Sequence, residues 1–361
     1  MSAAVRDARD ARAMGALARA RVAHRPLVRS ALALSETSSR ANRSHARVRS
    51  SERDERANGG DDERRAGERA RARARNAGDA HGAELMSSSG TFAELELQRA
   101  SAKVKGVRVR QHVNPLSARY RAQARAPKWE EAYDDRGRGL VIDIGCGGGR
   151  FDLLFAKRNE HLNVLGVDVR QPLVERGNEW GREAGVTKNA YFAECNATVS
   201  IGEWIRSYNA MGLGTVELVC AQFCDPHFKK RHRKRRIVQR TLVEQLAREL
   251  TPGARVFLQS DVRELAEDMR DKFERFGEAY FGLDETLYGA AAIEATAATA
   301  SELASEGERE DGDDGWRSTW AHAGWLDENP LGIPTEREIQ TTGEGLPVFR
   351  VMLRRNGAPF A

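Results

Sequence analysis

The sequence predicts an α/β fold, a doubly wound and mostly parallel seven-stranded sheet. Three observations carry that prediction. Short apolar runs alternate with amphipathic segments of helical period, a glycine-rich turn joins the first run to the first helix, and an aspartate closes the second run. Alternation of this kind is the pattern of parallel strands joined by crossover helices.

In chain order, the β–α–β pattern begins at Gly139. GLVIDIG is a buried-strand run that ends in the glycine turn, and Arg150 to Arg158 sets Phe151, Leu154 and Phe155 at helical spacing. LNVLGVDV is the second strand, and Pro172 suits the start of a helix running to Gly181. NAYFAEC, VELVCAQF and ARVFLQSDV mark the third, fourth and fifth strands. IVQRTLVEQLARELT is an amphipathic helix closed by Pro252-Gly253, ELAEDMRDKFERF is the helix after the fifth strand, and LPVFRVMLRR is the last strand. Gly289 to Asp314 is first Ala/Thr-rich and then acidic, with no core-forming period. It reads as a flexible surface insertion, partly helical at most, in a domain spanning 104–357.

Composition bounds the rest. The 361 residues include 40% apolar side chains, and no run reaches the length of about 18 apolar residues that a spanning helix needs. Four cysteines, Cys146, Cys195, Cys220 and Cys224, are too few for a disulfide scaffold. The net charge of +5 is unevenly placed: residues 1–100 hold twenty Arg, no Lys and fourteen acids. This stretch has almost no aromatic side chain and no sustained apolar period, so it is expected to stay disordered. Its first fifty residues carry eleven Arg against three acids, the make-up of a transit peptide, with a charged linker behind it.

The glycine turn reads Asp143-Ile-Gly145-Cys-Gly147-Gly-Gly-Arg-Phe151. Glycines after a buried strand let the backbone approach a ligand seated at the next helix. A dinucleotide fingerprint would need a third glycine where Arg150 stands. The pattern present, acid-x-Gly-x-Gly-x-Gly, is the loop of the Rossmann-like class I S-adenosylmethionine-dependent methyltransferases. An acid before the loop suits a ligand bearing an ammonium and a sulfonium. Asp168 stands where a carboxylate accepts both ribose hydroxyls of an adenosine. Asn196 and Ala197, after the third strand, are candidates for the adenine edge, with a helix-cap asparagine as the alternative.

The fourth strand leads to Asp225-Pro226 and then to a run in which seven of the eight residues from Lys229 to Arg236 are basic. Cations at the ligand-side rim of such a sheet would draw in a polyanion backbone. Cys220, Cys224, His227 and His232 also space as C-x3-C-x2-H-x4-H. Cys220 falls inside an apolar strand and the neighbouring cations oppose a dication, so no metal is expected.

Asp225-Pro-His-Phe-Lys-Lys-Arg-His-Arg-Lys-Arg-Arg-Ile-Val-Gln239 resembles the signature of the tRNA (guanine-N7)-methyltransferases. Gln259-Ser-Asp261 is similar to that family's acid after the fifth strand, and Pro334-Thr335-Glu336-Arg337-Glu338 to its Thr-x-x-Glu element. Arg108 to Ser117 and Gly324 to Pro330 resemble the cyanobacterial and plastid branch.

The resemblance implies S-adenosylmethionine-dependent methylation of N7 of the variable-loop guanine, position 46, in tRNA. It implies cofactor contacts at Asp143, Gly145, Gly147, Asp168, Asn196 and Ala197, and a catalytic part for Asp225. It also implies tRNA contacts at Lys229, Arg233, Arg236, Asp261, Thr335, Arg337 and Glu338, with Asp261 and Glu338 reading the guanine. The expected partner is tRNA, with no membrane, no metal and no WD-repeat subunit. A plastid is the expected location, with mitochondrion, or nucleus and cytoplasm, as alternatives. Cys224 stands where the family usually has proline, which predicts a looser turn around Asp225. Two other readings stay open: methylation of another RNA such as rRNA, and a non-catalytic RNA-binding protein that keeps the fold.

Overall fold

The computed structural model describes residues 90–97, 113–305 and 316–360. The expected transit peptide, most of the linker behind it and residues 306–314 of the insertion lie outside them. A short helix α1 (Trp129–Ala132) precedes strand β1 (Gly139–Ile144), which sits inside a seven-stranded sheet ordered β3-β2-β1-β4-β5-β7-β6. β2 (Leu162–Asp168), β3 (Ala190–Glu194), β4 (Val216–Gln222) and β5 (Arg255–Ser260) are parallel to β1. β7 (Phe349–Arg355) enters antiparallel between β5 and β6 (Phe281–Leu283). The strand order reverses between β1 and β4, so their carboxyl tips bracket the crevice where open α/β sheets bind ligands.

Helices cover both faces, which is why the central strands are apolar throughout rather than alternating. α2 (Arg150–Arg158) and α3 (Gln171–Ala184) pack one face over Val141, Leu154, Val164, Trp180, Phe192 and Phe257. α4 (Ala197–Asn209), α5 (Arg240–Glu249) and α6 (Arg263–Gly277) pack the other over Ile142, Ile144, Trp204, Val219, Leu246 and Phe273. α3 has Pro172 in its first turn and stops at Gly185 in left-handed backbone.

Three stretches pack more than their composition suggests. Phe92, Leu95 and Leu97 fall within the span expected to be disordered, yet all three are buried against the α2 face. Each such side chain contributes about 1.5–3 kcal/mol on burial, enough to anchor a short turn in a polar tract. Phe360 stacks on Tyr280 at 4.9 Å, so packing also continues beyond 357. After the short α7 (Glu285–Tyr288), the insertion is helical from Ala290 through Ser305 (α8), with Ile293 against the core and Thr296 buried. No helix among the described residues is long and apolar enough to cross a membrane.

Candidate functional site

Beyond β1 the chain reverses through Gly145, Gly147 and Gly149 at φ +86°, +56° and +75°, a region open to glycine and strained for other residues. Gly149 also lacks room, because a β-carbon there would stand 2.5 Å from the Phe192 ring. Gly145 faces open space and lines a cavity of about 680 Å³ at the strand tips. The nitrogens of Gly145 and Cys146 donate to Val167 O at 2.7 and 3.1 Å, pinning the loop to β2.

Asp168 ends β2 with 3% of its side chain exposed. Its Oδ1 accepts from Arg170 N and Nε at 2.8 Å each, and its Oδ2 from Arg170 Nη2 at 2.7 Å and Gly147 N at 3.2 Å. Sugar hydroxyls arriving at this carboxylate would therefore share it with the guanidinium, which lines the same cavity. Asp143 lies behind the cavity wall, almost fully buried. Burial, opposed by the bond from Gln222 and aided by the nearby Asp168 charge, pushes its carboxyl up to about 7.

Asn196 is the N-cap of α4, its Oδ1 accepting from Thr198 N and Oγ1 at 3.2 and 2.8 Å. Its Nδ2 donates to Pro115 O and Tyr120 O at 3.1 and 3.2 Å. The side chain expected at an adenine edge is thus engaged in capping the helix and tying the segment of Val113 and Pro115 over the cavity. Ala197, the first residue of α4, lines the cavity beside it.

Asp225 stands between two non-glycine residues in left-handed backbone, Phe223 at φ +48° and His227 at φ +43°. Its Oδ1 accepts from His227 N at 3.2 Å and lies 3.7 Å from His227 Nδ1. Phe223 N donates to Gln259 O at 2.9 Å, and Arg236 Nε to Pro226 O at 2.8 Å. The turn expected to be loosened by Cys224 is therefore pinned at both ends. Burial pushes the Cys224 thiol up to about 12, which removes it as a thiolate nucleophile.

The basic run splits by exposure. Lys229, Lys230, Arg231, Arg233 and Lys234 are exposed. Arg236, expected among the RNA contacts, is instead buried with 1% of its side chain exposed, held by Glu264 at 2.7 Å and Asp268 at 3.4 Å. Arg233 shares Glu264 at 2.8 Å while half exposed. Phe228 stands two-thirds exposed on the cavity rim, and Arg235 lines the cavity. Neither is among the expected contacts. An aromatic side chain among cations was the available signal for Phe228.

Thr335 is the N-cap of α9 (Glu336–Gly343), its Oγ1 accepting from Glu338 N at 3.1 Å. The Thr-x-x-Glu spacing is thus that of a helix start. Glu338, expected to read guanine, is buried and off the cavity wall. Its carboxylate accepts from Arg350 and Asn329 at 2.8 Å each and from Gln259 at 3.2 Å. Glu336 meets Arg150 of α2, and Arg337 Nε meets Asp261 Oδ2 at 2.9 Å.

The cavity gathers Gly145, Asp168, Asn196, Ala197 and Asp225 with Asp261 and Arg337. Asp143, Gly147, Lys229, Arg233, Arg236, Thr335 and Glu338 are not part of its lining. Among the described residues, no group of three or more His, Cys, Asp or Glu is placed to hold a metal.

A family model described as "Putative methyltransferase" matches residues 138–302. The tRNA (guanine-N(7)-)-methyltransferase of Synechococcus sp. (strain JA-3-3Ab) is 42% identical over 250 residues, 69% of this chain and 86% of that protein. The protein of the same name from Synechocystis sp. is 39% identical over 249 residues, 69% of this chain and 98% of its own length. The chain belongs to the tRNA (guanine-N(7)-)-methyltransferase family. Its sheet, with β7 antiparallel between β5 and β6, is that of the class I S-adenosylmethionine-dependent methyltransferases. In this family member, the glycine turn and Asp168 come from the half of the sheet before the crossover, and Asp225 and Asp261 from the half after it.

Proposed function

We propose that this chain transfers a methyl group from S-adenosylmethionine to N7 of the variable-loop guanine, position 46, of tRNA. The observation that carries the reading is the meeting, in one cavity, of Gly145 and Asp168 with Asp225 and Asp261, beside an exposed cationic run. When bound, S-adenosylmethionine supplies an electrophilic methyl on sulfur. The residues present fit it. Gly145 leaves its backbone uncovered, Asp168 presents a carboxylate for the sugar, and Asp143 beneath the loop favours a cationic ligand.

Guanine N7 has a lone pair and no proton, so no general base is required. The rate then comes from alignment at near-attack distance and from exclusion of water. Asp225, held by the His227 backbone, offsets the positive charge that grows on the purine. Asp261 accepts from guanine N1–H and the exocyclic amine, an arrangement adenine cannot reproduce. The Glu338 carboxylate acts through the fold rather than on the base, since Arg350, Asn329 and Gln259 occupy it. Lys229, Lys230, Arg231 and Arg233 hold phosphates by charge.

The same reading takes residues 1–50 as a plastid transit peptide and has the enzyme work without a WD-repeat subunit. The acid-poor, Arg-rich composition and the cyanobacterial relatives support it. Import into isolated plastids with loss of the leader tests the first part.

Incubating the chain with labelled S-adenosylmethionine and unmodified tRNA, then mapping the modified base, tests the activity. Label at N7 of the variable-loop guanine is expected. Label on rRNA but not tRNA, or cofactor binding with no transfer, overturns the proposal.

A further inference from the structure

One row of side chains joins the two halves of the cavity from behind. Strand register sets it. On the face shared with α2 and α3, Val141, Leu218, Phe257 and Met352 form an apolar layer. Nearer the strand tips stand Asp143, level with Cys220 on β4, and then Gln222, Gln259 and Arg350, one step beyond Cys220, Phe257 and Met352, all buried. Gln222 pairs with Gln259 across β4 and β5, and Gln259 with Arg350 across β5 and β7.

These groups are hydrogen-bonded in succession. Gln222 Nε2 donates to Asp143 Oδ1 at 3.1 Å, and Gln259 Nε2 donates to Gln222 Oε1 at 2.7 Å. The same Gln259 nitrogen donates to Glu338 Oε2 at 3.2 Å, and Arg350 Nη2 to Glu338 Oε1 at 2.8 Å. The row therefore runs from the acid under the glycine loop to the first turn of α9, where the adjacent Arg337 grips Asp261.

A polar row through a sheet core is costly, and the apolar layer beside it shows that the fold does not need one. Gln259 Oε1 is even left without a hydrogen-bond partner. We infer that Gln222 and Gln259 are positioning residues that couple the cofactor half of the cavity to α9, so that binding on one side tightens binding on the other. The inference rests on the function proposed above. A cationic ligand at the loop favours the charged form of Asp143. A charged acceptor strengthens the bond from Gln222, which polarises the amide toward Gln259 and fixes the group that holds Glu338. α9 is then set with Arg337 on Asp261, ready for the base.

The test is a binding cycle on the full chain, measuring the affinity for S-adenosylhomocysteine with and without unmodified tRNA. A wild-type ratio of about tenfold is expected, within the usual range of coupling between sites. Gln222→Met and Gln259→Met keep volume and lose the bonds. Each should bring the ratio near one while the separate affinities move by about threefold or less. A purely structural role would lower affinity or melting temperature and leave the ratio in place. A wild-type ratio of one, or folded variants that keep the wild-type ratio, overturns the inference. Should one variant fail to fold, the other joint of the row gives the same answer. Loss of guanine methylation in the wild type would sink the proposed function. Methylation with independent affinities would sink this inference alone.

Discussion

Arg337 and Asp261 are joined at the cavity wall, with both Nε and Nη2 of the arginine directed at Oδ2 of the aspartate. Only 14% of the Asp261 side chain is exposed, against 47% for Arg337. The guanidinium holds the carboxylate turned in one direction.

Asp261→Asn should therefore lower kcat/KM for tRNA by about 10- to 100-fold, the size of a lost charge-assisted hydrogen bond. Glu338→Gln should instead lower the melting temperature, since it breaks the buried pair with Arg350. Steady-state kinetics and thermal melts on the two variants separate the roles. A Glu338 variant of normal stability that loses guanine discrimination would contradict the assignment.

Asp225→Ala should reduce the single-turnover rate by about 100-fold while leaving tRNA affinity near wild type, because an electrostatic contribution acts mainly in the transition state. Rapid-quench measurements at saturating cofactor check it. Unchanged turnover would remove Asp225 from the chemistry.

Two arginines in one run should behave differently. Arg231→Ala should reduce the salt-dependence slope of tRNA binding by about one, the effect of losing one phosphate contact. Arg236→Ala should cost about 1–3 kcal/mol of stability, because it empties a fully buried site and leaves Pro226 O without its bond from the guanidinium. Titrations over a range of salt, paired with denaturant melts, give both numbers.

Phe228 is 66% exposed, so Phe228→Ala should leave stability unchanged. If its ring stacks on a tRNA base, KM should rise about tenfold and Phe228→Trp should restore it. A KM equal to wild type in the alanine variant would remove Phe228 from the interface.

Asp152 is fully buried, and neither carboxyl oxygen has a hydrogen-bond partner. Burial raises its carboxyl well above the ordinary value. A folded value above the unfolded one, about 3.9, makes stability greatest below that pH, with loss as pH rises toward the folded value. Melting temperature should therefore fall between pH 5 and 8. Asp152→Leu should flatten that fall and raise the melting temperature at pH 8 by about 5 °C. Asp143, whose carboxyl is pushed up to about 7, and Asp271, also raised by burial, contribute to the residual slope.

What could be read in advance was what is local. The helix from Arg150 to Arg158 matches its expected bounds, because three apolar positions and a preceding glycine define it. Asp168 and Asp225 are legible as carboxylates that follow apolar runs and Asp261 through the family resemblance, and all three line the cavity. Arg236 looks like its neighbours in sequence and differs only because α6 brings Glu264 and Asp268 beneath it. Glu338 carries the expected spacing for the reason of a helix cap, and Arg350 from a strand later in the chain claims its carboxylate. α4 is not among the expected helices, although Ile201, Trp204, Ile205 and Tyr208 recur at helical spacing. β6 is three residues long, too short for any period to show.

The corner at Phe223 and His227 sets durability against speed. Left-handed backbone at a residue with a β-carbon costs about 1–2 kcal/mol each, so the chain surrenders part of its folding stability to aim Asp225. Selection for heat resistance alone should find glycine at either position. The survivors should be hardier proteins and slower catalysts.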